Sequence, residues 1–311
     1  MKYQISDIVI ETSVELPQLI ASVGRGTDLI FKIDDLKSIN YKSYQPFRDI
    51  HLQNRQLWLS IGKFANEYLL KFPGTCDFII SATDKIISCF RRHSSINTVR
   101  YLLLNHVIPL YLSSSKKFLL HCSAVSINNR AVLFIGDSTS GKSTLAASFC
   151  NAGYTLLSDD FLLIREDRST FVATPSYPSV RLHPDAISQI FGFYPTIFKS
   201  DVFGHKQWIK ANGNSLPYSE KECAIKNIYL LKSNNDISLN SIRIMDIKPS
   251  ESLVELLNNS FIIDSSDREL LENNMDFCAR LVKEVPVKKL AYKKDYKVLP
   301  EVIKMILSDK S

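Results

Sequence analysis

Short runs of alternating or continuous apolar residues fill the first part of the chain. Tyr3–Ile10 and Asp28–Ile33 alternate apolar with polar positions. Gln56–Ile61, Tyr68–Phe72, Phe78–Ser81 and Lys85–Ser88 are short apolar stretches separated by turn-formers such as Pro73-Gly74-Thr75. Strands in quick succession with tight connections predict a small antiparallel sheet up to about residue 90. The period then changes. Val99, Leu102, Leu103, Val107 and Leu110 recur at helical spacing within Ile96–Leu112, and the polar run Ser113–Lys117 follows. This helix reads as the passage between two domains, 1–112 and 113–311.

Beyond it the pattern is that of an α/β protein. Phe118–Val125 is a strand candidate, and Ala131–Ile135 is apolar at every position, as expected of a strand buried on both faces. A helix over Lys142–Asn151 follows, ended by Gly153, and Tyr154–Ser158 reads as the next strand. Strand, helix and strand this close together form a βαβ crossover, though the flanking segments could pair antiparallel. Asn227–Lys232 and Ser241–Ile247 read as strands. Ser266–Val282 reads as a helix opened by a capping box of Ser266 and Glu269. The chain has no internal repeat, coiled coil or low-complexity segment.

Composition narrows the function classes. The 311 residues are 45% hydrophobic and 23% charged, which excludes a disordered chain. No apolar run reaches the roughly 20 residues that a bilayer helix needs. The opening MKYQISDIVIETS alternates instead of presenting the unbroken apolar core of a signal peptide. The cysteines (Cys76, Cys89, Cys122, Cys150, Cys223, Cys278) form no CxxC pair, so a reduced, cytoplasmic protein without a structural metal is expected. The net charge of +6 suits an anionic ligand but is too scattered for nucleic acid. The densest basic stretch, Lys288, Lys289, Lys293, Lys294 and Lys297 with Tyr292 and Tyr296 between them, reads as a solvated strand edge or tail face. A docking surface for an acidic partner is the other reading.

The strongest chemical signal is Gly136-Asp137-Ser138-Thr139-Ser140-Gly141-Lys142-Ser143, followed by Thr144. It satisfies GxxxxGK[ST] in a chain with only 10 glycines. An apolar strand precedes it and a helical pattern follows, which is the context a phosphate-binding loop requires. The two glycines admit backbone conformations and close approaches that a Cβ would block. Consecutive N–H groups at a helix N-terminus cradle phosphate oxygens. Lys142 brings positive charge to the outer phosphates, and the Ser143 hydroxyl is placed to ligate Mg²⁺.

Asp159-Asp160 closes the next strand candidate, at the end where α/β sheets bind ligands. A triphosphate needs a metal to offset its charge, and phosphoryl transfer needs an acceptor for the proton of the attacking hydroxyl. One aspartate can serve each need; a turn capped by aspartates is the plain alternative. His121, in Leu119-Leu120-His121-Cys122-Ser123-Ala124-Val125, would on its own be read as a packed or surface residue.

These segments together resemble the HPr kinase/phosphorylase superfamily: LLHCSAV, then AVLFIGDSTSGKST, then GYTLLSDD, in that order. The family's histidine 21 residues before the loop lysine and its catalytic aspartate 18 residues after it fall on His121 and Asp160. The resemblance implies an α/β P-loop kinase domain of the HPr kinase, PEP carboxykinase-like type. It also implies that Asp160 is the proton acceptor and that Asp159 supports metal or phosphates. Bacterial HPr-kinase-related serine kinases, including the lasso-peptide kinases, are more similar still. They carry a smaller β-rich N-terminal domain, a segment like Tyr68–Ser81 and a stretch like Pro175–Asp185. The similarity spans about residues 1–235 by pattern, with 119–160 its specific part. The signature loop that follows the core in true HPr kinases has no counterpart here. Where the family has a second metal-ligating glutamate, the offset falls on Asp185. Arg181 and Lys206 are candidates to stabilise phosphoryl charge, with an ordinary surface cation the alternative for each, while His183 and His205 read as structural.

The expectation is an ATP-dependent (or other triphosphate-dependent), Mg²⁺-dependent kinase acting on a hydroxyl, with serine of a peptide or small protein the first choice and peptide natural-product tailoring a setting for it. The N-terminal domain would help to admit the acceptor. A small-molecule kinase for free serine or a sugar, and a non-catalytic nucleotide-binding regulatory module, are the alternatives. Self-association as a homo-oligomer stays open.

Overall fold

Four parallel strands end on the same side of one sheet, and the rest of the fold serves that convergence. In the computed structural model, residues 25, 35–38, 53, 93, 193–196, 199–205, 212–215, 233–240, 310 and 311 are not described, and 197–198 are described in backbone only. His205 therefore lies outside the described residues. The architecture is mixed α/β with three sheets.

The N-terminal part forms a nine-stranded sheet. Its order is Ile20–Ala21, Lys2–Ile5, Ile8–Thr12, Leu29–Asp34, Ile86–Arg91, Cys76–Ser81, Glu67–Lys71, Leu57–Phe64 and Gln45–His51. The β-rich expectation holds, but three details differ. The alternating run Tyr3–Ile10 is a hairpin, not one strand: Ser6 adopts φ +50 and turns the chain back on itself. The sheet is mixed, because Leu29–Asp34 runs parallel to both its neighbours. Gln45–His51 was not anticipated; it is an edge strand with no buried residue, so it shows no apolar alternation to read.

The helix predicted over Ile96–Leu112 extends to Ser114 as Ile96–Leu102, a π-helical turn Leu103–Val107 and Ile108–Ser114. Ser95 caps it, its hydroxyl accepting from the Thr98 N–H at 3.2 Å. Pro109 has no N–H to offer the turn before it, which is where the helix widens. Leu102, Leu103, Leu104, Val107 and Ile108 are all fully buried. The same hydrophobic cluster holds Leu70 and Phe78 of the N-terminal sheet together with Leu119, Phe161, Leu163, Tyr177 and Trp208 from beyond it. The helix is thus packed into a core that residues before and after it share.

In the second sheet the order is Phe118–Leu120, Leu162–Asp167, Thr170–Thr174, Cys223–Leu231, Arg130–Ile135, Ser123–Ile127 and Thr155–Ser158. Val287–Ala291 joins beside Cys223–Leu231, and Arg243–Asp246 joins beside Val287–Ala291. The predicted single strand Phe118–Val125 is two strands in different places, interrupted at His121-Cys122. Arg130–Ile135 is buried on both faces, as expected. Val132 and Phe134 pack with the helices Lys142–Asn151, Pro184–Phe191 and Leu299–Ser308. Ala131, Leu133 and Ile135 pack with Pro249–Asn258 and Arg268–Glu284. The last of these helices is capped by Asp267, whose carboxylate accepts from the Leu270 N–H at 3.0 Å. Ser266 instead donates to Asp264, so the anticipated Ser266–Glu269 box does not form. The lysine-rich strand Val287–Ala291 is no edge either: it pairs on both sides, and Lys288 bonds Asp309 at 2.7 Å. The third sheet, Ser179–Leu182, Gln207–Lys210 and Ile197–Phe198, lies across the convergence. Among the described residues, no helix is long and apolar enough to cross a membrane.

Candidate active site

Register explains why the predicted residues meet. Ser123–Ile127 lies antiparallel between Arg130–Ile135 and Thr155–Ser158, so those two strands run parallel and end together. The glycine loop leaves the first and Asp159-Asp160 leaves the second. Cys223–Leu231 is parallel to the loop strand, and Val287–Ala291 is parallel to Cys223–Leu231. Their ends bring Leu231 and Tyr292 to the same side. Ser123 pairs with Phe134 near the end of the loop strand, which puts His121 there too.

The loop has the backbone its glycines allow. Gly136 sits at φ +132, and a Cβ there would come within 2.2 Å of the Leu231 carbonyl oxygen. Gly141, at φ +104, opens the helix Lys142–Asn151. Lys142 is 7% exposed, and its ammonium donates to the Gly136 carbonyl at 2.7 Å and the Asp137 carbonyl at 3.0 Å. Burial lowers its pKa, with the charges of Asp159 and Asp160 working in the opposite direction. The Ser140 hydroxyl is buried and has no hydrogen-bond partner. A buried hydroxyl left unmatched costs free energy, and a phosphate oxygen on this loop would satisfy it.

The acidic pair is held differently on its two sides. Asp159 accepts from the Ser123 hydroxyl at 2.5 Å and from the Arg181 N–H at 3.0 Å. Burial raises its carboxyl pKa, and the neighbouring Asp160 charge adds to the effect. Asp160 takes φ +71, a conformation aspartate tolerates better than most residues. That turn sends its side chain to Arg181, with Nε at 2.9 Å and Nη2 at 2.7 Å, and its carbonyl to His121 Nδ1 at 2.7 Å. Burial opposes the Asp160 charge, but the Arg181 guanidinium outweighs it and holds the carboxyl well below the usual carboxylate range. Because a carbonyl only accepts, His121 carries its proton on Nδ1. Burial, then the Lys142 charge, pulls its imidazole down to about 4, so the ring is neutral at pH 7.

These groups line one cavity of about 430 Å³. Ser138–Thr144, His121, Asp159, Asp160, Arg181, Asp185 and Lys206 all border it, while Gly136 and Asp137 shape the loop behind it. Arg181 is not a surface cation. Its side chain is 14% exposed, and its guanidinium carbon lies 4.9 Å from the centre of the Tyr101 ring, on the buried N-terminal helix. Lys206 contributes charge felt at both aspartates. Asp185 lies in the first turn of the helix Pro184–Phe191 and accepts from the Tyr296 hydroxyl at 2.7 Å. His183, expected to be structural, is also on the cavity wall.

Among the described residues, no three His, Cys, Asp or Glu side chains are grouped as a metal cage. Ser143, Asp159 and Asp185 nonetheless border the same space. One hydroxyl and two carboxylates suit Mg²⁺, which keeps several waters and takes other ligands from phosphates.

Sequence reasoning missed Tyr101 and the wall built by Tyr292, Lys294, Asp295, Tyr296 and Leu299. The aromatics set within the basic stretch were the available signal for that wall. The Lys294 ammonium donates to the Thr139 carbonyl at 2.9 Å, so this stretch serves the loop and is not a free tail. Nothing local marks Tyr101.

No protein-family model matches the chain, and no curated protein matches it. Among solved structures, the Hpr(Ser) kinase/phosphatase from Coxiella burnetii matches over 61% of this chain and 93% of that one, at 12% identity and a TM-score of 0.32. A superposition that loose carries nothing about activity or substrate.

Proposed function

We propose that this chain is a nucleotide-dependent phosphotransferase that moves the terminal phosphoryl group of ATP, or another nucleoside triphosphate, to a hydroxyl, with a seryl side chain of a peptide or small protein as acceptor. One observation carries the reading: a GxxxxGKS loop and a buried aspartate paired with arginine share one cavity at the ends of the parallel strands of a mixed sheet. Fold analogy supplies none of this; the side chains do.

The loop N–H groups, the Ser140 hydroxyl and Lys142 bind the phosphate chain. Ser143, Asp159 and Asp185 would hold Mg²⁺, which neutralises phosphate charge when bound. The acceptor oxygen attacks the terminal phosphorus, the bond to the bridging oxygen breaks, and the diphosphate leaves. The acceptor proton passes to the Asp160 carboxylate. Arg181 keeps Asp160 ionised beforehand. As negative charge spreads over the transferring group, Arg181 can shift toward it, and a carboxylate with less of its partner is a stronger base. His121, neutral and anchored through Nδ1, holds the Asp160 backbone in its turn.

The test uses ATP labelled in its terminal phosphate, a panel of serine peptides, free serine and sugars. Wild type should label an acceptor. Asp160→Asn should cut transfer by at least about a hundredfold, the lower bound for a general base, while still binding ATP. Transfer retained in Asp160→Asn would remove its assigned role; ATP binding with no transfer to any acceptor would favour a regulatory module. Labelling confined to free serine or sugars would identify a small-molecule kinase.

A further inference from the structure

We propose that the outer wall of the cavity is a nucleobase subsite, in which Tyr292 and Tyr296 receive the planar base of the triphosphate bound on the loop. The inference rests on the phosphotransferase reading above and adds to it the part of the ligand that the loop does not explain.

The cavity lining is of two chemical kinds. His121, Asp159, Asp160, Arg181 and Lys206 are polar groups suited to phosphate and proton chemistry. Tyr292, Tyr296 and Leu299, which share the wall with Lys294 and Asp295, bring aromatic and apolar surface. Tyrosines beside a polyanion site add no phosphate affinity, but an aromatic ring offers its face to any base. The position is right for a ligand extending from the loop. Tyr292 follows Val287–Ala291, whose end adjoins the loop strand through Cys223–Leu231, and its hydroxyl lies 3.5 Å from where a Cβ on Gly141 would be.

This wall is also held in place. Tyr296 donates to Asp185 at 2.7 Å, fixing its ring against the helix Pro184–Phe191. Asp295 accepts from the Lys297 N–H at 3.0 Å and so caps the short turn Tyr296–Val298. Lys294 ties the segment to the loop at Thr139. Rings positioned before the ligand arrives lose little freedom on binding it. Asp295 adds a carboxylate on the same wall, suited to the hydroxyls of a ribose.

The experiment compares ATP with inorganic tripolyphosphate, both with Mg²⁺, on the full chain, on Tyr296→Ala and on Tyr296→Phe. Wild type should bind ATP about tenfold or more tighter than tripolyphosphate, within what an aromatic–base contact contributes. Tyr296→Ala should abolish that preference by weakening ATP alone, and Tyr296→Phe, which keeps the ring and loses the bond to Asp185, should retain it. Equal affinity of wild type for the two ligands, or a preference untouched in Tyr296→Ala, overturns the subsite and leaves the phosphate cradle standing. Loss of both ligands in Tyr296→Ala also overturns it, because the ring would then support the loop and not a base. Failure of wild type to bind either ligand overturns the phosphotransferase reading and the subsite with it.

Discussion

Arg181 holds both carboxylate oxygens of Asp160, Nε to Oδ2 at 2.9 Å and Nη2 to Oδ1 at 2.7 Å, with the two side chains 14% and 10% exposed. Paired, the two charges satisfy each other; if one is removed, the other is left in a poorly hydrated place.

Arg181→Gln should therefore cost about 3 kcal/mol of stability at pH 7. In wild type the Asp160 carboxyl is depressed, so the pair's contribution is complete above the ordinary carboxylate range and is lost as pH falls toward the folded-state value. Urea unfolding at stepped pH should show the gap between wild type and Arg181→Gln narrowing below about pH 4. A gap independent of pH would mean that Arg181 acts through packing alone.

His106 and His121 predict acid sensitivity at higher pH. Burial takes His106 down to about 3, and burial followed by the Lys142 charge takes His121 to about 4, against an ordinary 6.5. Between those values the unfolded chain binds more protons, so stability should fall as pH drops from 6.5 toward 4. The His106 Nε2 is buried without a partner among the rings of Trp58, Phe72 and Tyr101. His106→Leu should remove about 1 kcal/mol or more of that fall, measured by urea unfolding across the range. An unchanged slope would show that His106 takes no part in it.

Tyr101 should matter through its ring. A double-mutant cycle of Tyr101→Leu with Arg181→Met, read by unfolding free energy, should give a coupling of about 1 kcal/mol. Additive effects would mean that the 4.9 Å contact contributes nothing specific.

At Gly136 an added methyl meets backbone, not a movable side chain. Gly136→Ala should lose more than about 2 kcal/mol of stability together with ATP binding. Serine at Gly24, where the nearest atom is a serine hydroxyl at 3.4 Å and no positive φ is required, provides a control expected to stay near neutral.

The phosphate loop could be read from the sequence because its conformational demands are met by residue type: glycine at fixed spacing, then Lys142 and Ser143 opening a helix. Ala131–Ile135 was readable because burial on both faces leaves no polar position. Gln45–His51 was not, since an edge strand without buried residues has no pattern to show. Phe118–Val125 misled because two strands of similar composition adjoin across His121-Cys122. The cavity's outer wall lay in a stretch whose lysines dominate its composition, although two of its tyrosines face the site. Tyr101 reaches Arg181 across 80 positions of sequence, and only the packing of the N-terminal helix reveals it.

The largely buried helix Ile96–Ser114 has an evolutionary consequence. Side chains that grip the N-terminal sheet alternate along it with one that steadies the arginine beside Asp160. A lineage could not exchange its β layer for another, as modular enzymes do, without reworking that arginine's support. The β layer and the surroundings of Asp160 would have to drift together, one compensated step at a time.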